Sequence, residues 1–561
     1  MILQALCGYY ERLEKENEDT PRYGFSTAQV SGCIELDNQG NVRDVISLLD
    51  EKKKKTQLVV PNHHKRAGDP TPEKSYFLCD KSICFLADAA GIKYWEASKA
   101  LHQEILADVD DDGARAILAF FEGAPPVGRG FGKADLLVFR LESDGAEYLH
   151  KRPAMRRAWE RYFSNQTQDN AIAQCLVTGE EEPLALIHKG IEGNATIVSF
   201  KQEAFRSYGK VQGGNAPVSL RAEFQYTTAL KALASDPRHY FRLGGDKVVF
   251  WAERSAGLEE DIFGDMMYVS AVDEISSEQI RANLMTLYSG KMPMELDHEV
   301  QFCLLGYAKL SDGRIGIRFF YRERFGHILE SYLRHLRDCE VILGKNDPVA
   351  LTPYWILRET AVGGKIENIP PLLESALLRS IFWDTLYPYT LYMAILRRVR
   401  ADARVNRCRA AVLKGYLNRQ DRLNQKEEML TVGLNLQETN QAYLLGRMLA
   451  VFQKAQHDAL GQVNADVVDK YLNAALATPS TVFTTLAALF EKHLKKIEHP
   501  GGVVSHQKLI QEIHDKIPSS GYPRTLSAEE QGRFLIGYYH QRQAFYSNTK
   551  EENTNAEQEA K

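Results

Sequence analysis

The distribution of apolar residues changes near Pro370 and divides the chain into two parts with different folding patterns. Before that point, short runs rich in β-branched and aromatic residues are separated by clusters of Gly, Asn, Asp and Pro, as in strands joined by turns. Helical stretches such as 95–108 and 222–234 lie between these runs, without a regular alternation of strand and helix. We therefore predict an α+β lobe of irregular mixed topology over residues 1–370, with strands at 33–37, 136–140, 196–200 and 247–251.

From residue 371 onward, glycine and β-branched runs become sparse, and Leu, Ala and Arg recur with the period of packed helices. This pattern predicts an all-α C-terminal helical bundle over 371–546, formed by four to six helices. The final residues, 547–561, are polar and acidic, which predicts a disordered tail. We expect breaks in the bundle near Gly415, Gly433, Pro479, Pro500 and Pro518.

Residues 471–490 contain no charge and are numerous enough to span a bilayer. They also include an asparagine, a proline and several hydroxyl side chains, which are costly in hydrocarbon. Thr478 followed by Pro479 is typical of a helix start, with proline in the first turn. We therefore predict two helices that meet at Thr478, the second of which ends before Pro500, and no membrane segment.

The N-terminal residues turn acidic after a short apolar stretch and lack the basic region of a secretory signal. Eight cysteines are scattered along the chain, and no two of them form a CxxC pair. A chain of this length needs no disulfide for its stability. These features predict a cytoplasmic protein with reduced thiols.

The sequence contains no complete local motif of the common catalytic classes. His298-Glu299 lacks the second histidine that a zinc protease motif requires, and no nucleophile elbow is present. The glycine run 128–132, followed by Lys133, fails both the Walker A and the dinucleotide patterns. We therefore predict no catalytic residue, no metal and no cofactor, and keep Lys133 as a candidate contact to a phosphate backbone.

The formal net charge is −5, so any nucleic-acid surface on this chain must be local. The strongest candidate is the segment 397–426, which contains ten basic and only two acidic residues. Four of its arginines follow 3–4–3 spacing, which would align them on one helical face and suit contacts to phosphates. An ordinary basic surface helix is the alternative. The four are Arg397, Arg400, Arg404 and Arg407.

Two polar loops could also contact nucleic acid. Glycines in the first, residues 207–215, let the backbone approach a ligand closely, and its side chains could reach base edges or phosphates. The second is a basic loop that follows the apolar run 57–60. Surface turns share both compositions. The candidates are Lys210, Gln212 and Asn215 in the first loop and Asn62, Lys65 and Arg66 in the second.

The segment 175–233, which includes AFRSYGKVQGGNAPVS at 204–219, resembles the large subunit of the type I-C CRISPR Cascade complex. The opening MILQALCGYYERL, SYFLCD at 75–80 and VVFWAE at 248–253 agree with it, as does a helical C-terminal lobe. Cys175 before Thr-Gly-Glu resembles half of a zinc knuckle, but the second half is absent, so the resemblance does not imply a metal here.

The resemblance implies a non-catalytic subunit of an RNA-guided antiviral DNA surveillance complex. Guide RNA, held by backbone subunits and a subunit that caps its 5′ end, would read the target by base pairing. The large subunit would recognise the protospacer-adjacent motif in double-stranded DNA, promote R-loop formation, stabilise the displaced strand and recruit the helicase-nuclease. Strand exchange is nearly balanced in free energy, so a few protein contacts at the motif can tip it.

We assign individual side chains to these roles from their chemistry. We predict that Asn62, Lys65, Arg66, Lys210, Gln212 and Asn215 recognise the motif. We predict that Lys133, Arg397, Arg400, Arg404 and Arg407 contact the nucleic-acid backbone. Two alternatives stay open. One is an enzyme that modifies nucleic acid with a site assembled from distant residues, and the other is a structural RNA-binding scaffold.

The resemblance also implies that the small subunits of the complex are made from the large-subunit gene. We predict that they are translated internally from Met429, giving residues 429–561, a length sufficient for a helical domain. The preceding Lys426-Glu427-Glu428 must be encoded by an all-purine tract, which resembles a bacterial ribosome-binding site. Met448 is a second candidate start, and the alternative is that Met429 is an ordinary helix residue.

Overall fold

The computed structural model describes residues 1–17, 19–61, 74–86, 92–127, 130–166, 170–200, 202–254, 256–268, 278–311, 313–342, 351–370, 372–426 and 429–559. The chain divides into two compact units. The first unit is Met1–Ala232 with Lys309–Arg314, and the second is Leu233–Ala308 with Ile315–Lys561. Among the described residues, no helix combines the length and the apolar character that a membrane span requires.

The first unit mixes short strands with helices. Its helices are α1 (Ile2–Glu16), α2 (Ser82–Phe85), α3 (Ile92–Leu106), α4 (Asp112–Glu122), α5 (Pro153–Gln166) and α6 (Leu220–Ser235), whose last turn crosses into the second unit. Its strands are β1 (Phe25–Val30), β2 (Gly32–Leu36), β3 (Val42–Ser47), β4 (Thr56–Pro61), β5 (Cys79–Lys81), β6 (Leu136–Leu141), β7 (Ile172–Gln174) and β8 (Glu181–Pro183).

The largest sheet of the first unit has four strands in the order β3-β2-β6-β5. The β2–β6 pair is parallel and the outer pairs are antiparallel. Aromatic side chains from the sheet and from the helices fill the core: the ring centroids of Phe85 and Phe139 are 4.7 Å apart, and those of Trp95 and Phe121 are 4.9 Å apart. Two antiparallel pairs, β1-β4 and β7-β8, complete the sheets in the described part of the first unit.

The second unit begins with a four-stranded sheet in the order β12-β11-β10-β9, formed by β9 (Tyr240–Leu243), β10 (Asp246–Ala252), β11 (Gln301–Lys309) and β12 (Ile315–Arg324). Helices make up the rest. They are α7 (Gly257–Tyr268), α8 (Glu278–Tyr288), α9 (Phe325–Asp338), α10 (Pro353–Thr360), α11 (Leu373–Phe382), α12 (Tyr389–Asp402), α13 (Arg407–Leu423), α14 (Gln441–Leu460), α15 (Val467–Ala477), α16 (Pro479–Leu494), α17 (Pro500–His514) and α18 (Ala528–Glu559).

One apolar core runs through the whole second unit, from Phe241 on the sheet to Tyr539 on α18. Within the C-terminal helices, α14 and α18 approach so closely that a Cβ at Gly446 would clash with the carbonyl oxygen of Phe534. Glycine at this position therefore lets the two backbones touch. Because the sheet and the helices share this core, the change of sequence pattern near residue 370 lies within the second unit.

The predicted fold class is confirmed, because small sheets and helices mix in the N-terminal region and α11–α18 form a helical C-terminal half. The strands predicted at 33–37, 136–140 and 247–251 correspond to β2, β6 and β10. The strand predicted at 196–200 is wrong, because only Thr196 makes a bridge, to Arg314. The bundle has eight described helices after residue 370 instead of four to six.

The interpretation of 471–490 as two helices is confirmed. Helix α15 ends at Ala477 and α16 begins at Pro479, as predicted, and α16 ends before Pro500. The Thr478 hydroxyl does not cap α16, however, since it donates to the carbonyl oxygen of Ala474 at 3.4 Å. Residues 547–559, predicted from their composition as a tail, continue α18 in the structure.

Candidate nucleic-acid interface

The 207–215 loop of the first unit begins with a tight turn. The backbone N–H of Lys210 donates to the carbonyl oxygen of Ser207 at 2.9 Å, and Tyr208 and Gly209 between them have φ of 50° and 74°. Positive φ at both central residues is the pattern of a type I′ turn. The Tyr208 side chain at the tip is 100% exposed, so this turn presents an aromatic ring to solvent.

The second half of the loop, residues Gln212–Asn215, is a short 3₁₀ helix anchored on the preceding chain. The backbone N–H of Gly213 donates to the carbonyl oxygen of Leu186 at 2.9 Å. A Cβ at position 213 would clash with the carbonyl oxygen of Ala185, so glycine is required for this close approach. The loop is therefore a fixed element of the first unit.

The three predicted motif-reading residues of this loop lie in different environments. Lys210 and Gln212 are exposed, and Gln212 has a φ of 45°. The Asn215 amide instead donates to the carbonyl oxygens of Gln212 at 3.0 Å and Lys210 at 3.4 Å. Its donors are therefore engaged within the loop, and Asn215 braces the backbone that carries the other two side chains.

The other predicted motif-reading residues, Asn62, Lys65 and Arg66, lie outside the described residues. Strand β4 ends at Pro61, immediately before them, and pairs with β1 through Phe25↔Pro61. Pro61, the last described residue before them, is therefore held by strand pairing at the end of the two-stranded β1-β4 sheet.

Lys133 lies in a turn organised by Asp135. The Asp135 carboxylate accepts hydrogen bonds from the Ser31 hydroxyl and from the Lys55 ammonium, both at 2.8 Å, and from the backbone N–H of Gly132, also at 2.8 Å. The bond from Lys55 is the main cause that holds the pKa of Asp135 below its usual range. The Lys133 side chain is exposed on this turn, which is compatible with a phosphate contact.

The four predicted backbone-contacting arginines do not share one helical face. Helix α12 ends at Asp402, Ala403 takes the left-handed conformation with a φ of 48°, and α13 begins only at Arg407. Arg397 and Arg400 therefore lie on α12, Arg404 in the connection and Arg407 at the start of α13. The prediction of a continuous helix is wrong here because the 3–4–3 spacing continues through the residues that form the break.

Most of the other positive charge in 397–426 is neutralised inside the second unit. Arg409 pairs with Glu359 at 2.8 Å and with Asp402 at 2.6 Å. Lys414 is buried and donates to the carbonyl oxygen of Asp338 at 3.2 Å. The remaining ion pairs include Arg398–Asp402, Arg419–Asp338, Arg422–Asp384 and Lys426–Asp421.

This pairing leaves a smaller basic surface than the sequence predicts. Arg397 and Arg404 are exposed, and neither side chain has an ion pair within the described part of the chain. Arg400 is half-buried and donates to the Oε1 of Gln531 on α18, while its backbone carbonyl accepts from Asn473 at 3.0 Å. Arg400 therefore connects α12 to α15 and α18, and Arg397 and Arg404 remain the arginines best placed for a phosphate.

Cys175, the residue that resembles half of a zinc knuckle, is buried and serves as a hydrogen-bond acceptor. Its Sγ accepts from the backbone N–H groups of Ser219 at 3.2 Å and Val177 at 3.4 Å. Burial raises the pKa of this thiol, but hydrogen bonds from the backbone of Ser219, from the backbone and side chain of Thr178 and from the backbone of Val177 outweigh burial, so the net pKa lies below its ordinary value. The thiol thus joins the turn after β7 to the segment before α6. The described residues contain no group of three or more potential metal ligands.

Tyr208 was not among the nucleic-acid-binding candidates predicted from the sequence. The signal was present, because Tyr208-Gly209 lies between the polar residues Ser207 and Lys210, a composition typical of a turn, and the ring has nothing to pack against if the turn projects. Only the structure shows that this large ring is exposed to solvent. No analogous signal marks Asn215 as a brace, because its hydrogen bonds depend on the path of the loop.

Comparison with known proteins identifies a family that matches this chain. A family model described as CRISPR-associated protein (Cas_Csd1) matches residues 6–546, which is nearly the whole chain. No curated protein matches the chain. The match includes the 207–215 loop, the Lys133 turn and the four arginines.

Proposed function

Because the chain belongs to the Cas_Csd1 family of CRISPR-associated proteins, which makes it a Cascade-type component, we propose that it is the large subunit of a type I-C Cascade complex. In this proposal it recognises the protospacer-adjacent motif in double-stranded DNA. The observation that carries the proposal is the 207–215 loop, a braced element that exposes Tyr208, Lys210 and Gln212 together.

The chemistry of the loop suits recognition of a short duplex sequence. The Gln212 amide has both donor and acceptor groups, which lets it form paired hydrogen bonds with a base edge. Lys210 supplies a point charge for the neighbouring phosphate, which fixes the register without reading sequence. Asn215 holds the backbone that carries both. Asn62, Lys65 and Arg66, which follow the β1-β4 sheet, would supply further motif contacts.

R-loop formation would begin where this loop meets the duplex. Opening the first base pairs exposes unstacked bases, and an aromatic ring can stack on any of them because every base has a π-face. Tyr208, at the tip of the turn, is the ring available for this role. Since guide–target pairing nearly balances the duplex that it replaces, such a contact can decide whether opening proceeds.

Arg397 and Arg404 would contact the phosphate backbone of the displaced strand. Lys133, in the first unit, would make a separate contact to a nucleic-acid backbone. These contacts do not depend on sequence and weaken as salt rises, because each neutralised phosphate releases counterions. Arg400 and Arg407 would support this surface, Arg400 through its contact with α18.

The partners follow from the proposed role. Guide RNA would be held by backbone subunits and a 5′-end-capping subunit, and the helicase-nuclease would be recruited once the target is bound. The chain itself would be non-catalytic and would work in the cytoplasm, where the DNA target is found.

Small subunits translated from Met429 are part of the same proposal. Residues from 429 onward contain α14–α18, whose closest helix pair, α14 and α18, packs backbone to backbone. In the full chain, α18 also pairs with α13 through Arg533 and Asp421 at 2.8 Å, and Tyr392 on α12 donates to the carbonyl oxygen of Ala528 at 2.8 Å. A separate copy would expose these positions, which suits assembly against neighbouring subunits.

Affinity purification of the tagged chain from its native operon, followed by sequencing of bound RNA, tests the assignment to a complex. We expect repeat-derived guide RNA and several backbone subunits for each copy of this chain. Cleavage or modification of DNA by the chain alone would favour the enzyme alternative. Binding of RNA without guide selectivity would favour a scaffold.

A further inference from the structure

A pocket of about 180 Å³ lies beside the 207–215 loop in the first unit. Its apolar lining comes mainly from Leu186, Ile187, Val198 and Phe200, and Gln212 and Gly213 of the loop also line it. The segment 196–200, predicted from the sequence as a strand, forms one side of the pocket instead of joining a sheet. This explains why β-branched residues occur there outside a strand.

Two buried polar side chains line the same pocket. His188 is 5% exposed and Thr196 is 3% exposed. Within the described residues, neither the Nε2 of His188 nor the Oγ1 of Thr196 has a hydrogen-bond partner. Buried polar atoms in folded proteins nearly always have a partner, so two such atoms on one pocket point to a ligand that supplies it.

The chemistry of these two groups limits the ligand. The Nδ1 of His188 lies 2.6 Å from the Tyr226 hydroxyl, and burial lowers the pKa of His188 to about 4. The imidazole is therefore neutral near pH 7, and its Nε2 keeps one hydrogen-bonding function, as donor or acceptor according to the tautomer. The Thr196 hydroxyl can donate and accept. A neutral polar floor with apolar walls suits a flat heteroaromatic ring better than a phosphate or a carboxylate.

We infer that this pocket binds an unstacked nucleobase, with its ring against the apolar walls and its edge at His188 and Thr196. The inference rests on the proposed function, because the Gln212 that would read the motif also lines the pocket. Proteins that extrude a base commonly hold it between apolar side chains and hydrogen-bond its edge. The base would come either from DNA next to the motif or from the guide RNA, and the chemistry is the same for both.

The test asks whether removing a base and altering the pocket have the same, non-additive effect on target binding by the assembled complex. One abasic nucleotide at a time is placed in each DNA strand beside the motif and, in separate preparations, in the terminal nucleotides of the guide RNA. The pocket is altered by Ile187→Trp, at a side chain that is 70% exposed, and by Thr196→Val, which removes the hydroxyl with little change in shape. Ile92→Trp on α3, also exposed, is the matched control.

At one position, we expect base removal to lower the affinity of the wild-type complex for its target about fivefold or more. Loss of a buried hydrogen bond and a ring contact would have an effect of this size. When all bases are present, each pocket variant should lower the affinity for the target by a similar factor. When the base at that position is absent, the same variant should lower the affinity little further. A response on DNA or on RNA identifies the source of the base. Ile92→Trp should leave the response unchanged.

Additive effects at every position, with both pocket variants folded as judged by thermal unfolding, would overturn the inference. Discrimination between correct and incorrect motifs by the wild-type complex is measured in the same experiments. If that discrimination is present while coupling is absent, only the pocket assignment fails. If discrimination is absent, the proposed function fails whatever the coupling shows.

Discussion

Arg419 and Asp338 form a buried ion pair in the second unit, with the Nε of Arg419 2.8 Å from the Oδ2 of Asp338. The Arg419 side chain is 0% exposed, and it also donates to the carbonyl oxygen of Ser380 at 2.7 Å. Its guanidinium lies over the Tyr387 ring, 3.9 Å from the centroid. An arginine that contributes to the positive charge of 397–426 is thus a core residue, and charge counting along the sequence overstates the basic surface.

Arg419→Ala should therefore destabilise the protein strongly. Removing one partner of a buried ion pair typically costs about 3–5 kcal/mol. Here the Asp338 carboxylate keeps Arg422 as a partner at 3.2 Å, so we expect a loss near the lower end of that range, to which the lost contacts with Ser380 and Tyr387 contribute. Chemical denaturation of the chain should show this loss, whereas Arg397→Ala, at an exposed position of α12, should leave the unfolding midpoint nearly unchanged. Equal effects of the two substitutions would mean that the pair does not stabilise the core.

Arg397→Ala combined with Arg404→Ala should weaken DNA binding to a similar extent for all sequences. Removing one phosphate contact lowers the log–log salt slope by about 0.9 for duplex DNA and about 0.7 for a single strand, so removing two gives a change between about 1.4 and 1.8. Titrations at several salt concentrations measure it. Arg238→Ala combined with Arg254→Ala, two exposed arginines of the same unit, is the control. An unchanged slope would contradict the assignment of Arg397 and Arg404.

Gln212→Ala and Gln212→Gly should both reduce discrimination between correct and incorrect motifs. A base-edge contact contributes about 1–3 kcal/mol of discrimination, and both variants lack the amide that makes it. Because Gln212 has a φ of 45°, glycine relieves backbone strain that alanine keeps. Loss of discrimination in the alanine variant alone would show that the effect comes from the backbone and not from base reading.

Asn215→Ala should act differently from the Gln212 variants. It removes the hydrogen bonds to the carbonyl oxygens of Gln212 and Lys210, so the whole loop loses its brace. Affinity should fall on correct and incorrect motifs alike, with faster amide hydrogen exchange in 207–215. A selective loss on the correct motif would instead make Asn215 a direct reader, as the sequence predicted.

Tyr208→Ala should slow R-loop formation without lowering thermal stability. The ring is fully exposed, so its removal costs no packing in the chain, but it removes a stacking partner for an opened base. Such stacking is worth about 1–3 kcal/mol per base. Permanganate reactivity of thymines next to the motif reports the opening. Tyr208→Phe should retain the wild-type rate, and an alanine variant as fast as the phenylalanine one would exclude the role.

Changing the Met429 codon to a leucine codon should abolish a short C-terminal product without unfolding the full chain. Met429 is about half exposed, while the neighbouring Leu430 is held by paired hydrogen bonds with Asn418 at 2.9 and 3.0 Å. Immunodetection of a C-terminal tag reports the product. Its persistence at the same mass would reject this start site, and absence of any short product from the unmutated gene would reject internal translation.

Patterns that depend on neighbouring residues predicted much of the fold. The apolar run at 247–251 became β10, all of whose residues are buried, and Thr478-Pro479 marked the junction of α15 and α16. The run at 196–200 has the same β-branched character, yet it lines a pocket. Composition alone cannot distinguish these cases, because the difference lies in whether another strand is available to pair.

The candidate site was predictable only in part, for a related reason. The glycines of 207–215 correctly indicated a close backbone approach, but the surface that they approach, Ala185 and Leu186, is distant in sequence. Likewise, the 3–4–3 spacing of arginines could not reveal the left-handed Ala403 that ends α12, nor the acidic partners on other helices that neutralise the segment.

The central claim is that this chain supplies the selectivity of the complex for the motif next to the target. The most direct measurement compares the affinity of two assemblies for targets with the correct and an incorrect motif: the full complex, and the guide RNA with backbone and capping subunits alone. We predict that only the full complex discriminates, and that Gln212→Ala in the full complex reduces the difference in affinity. Equal discrimination by the assembly that lacks this chain would contradict it.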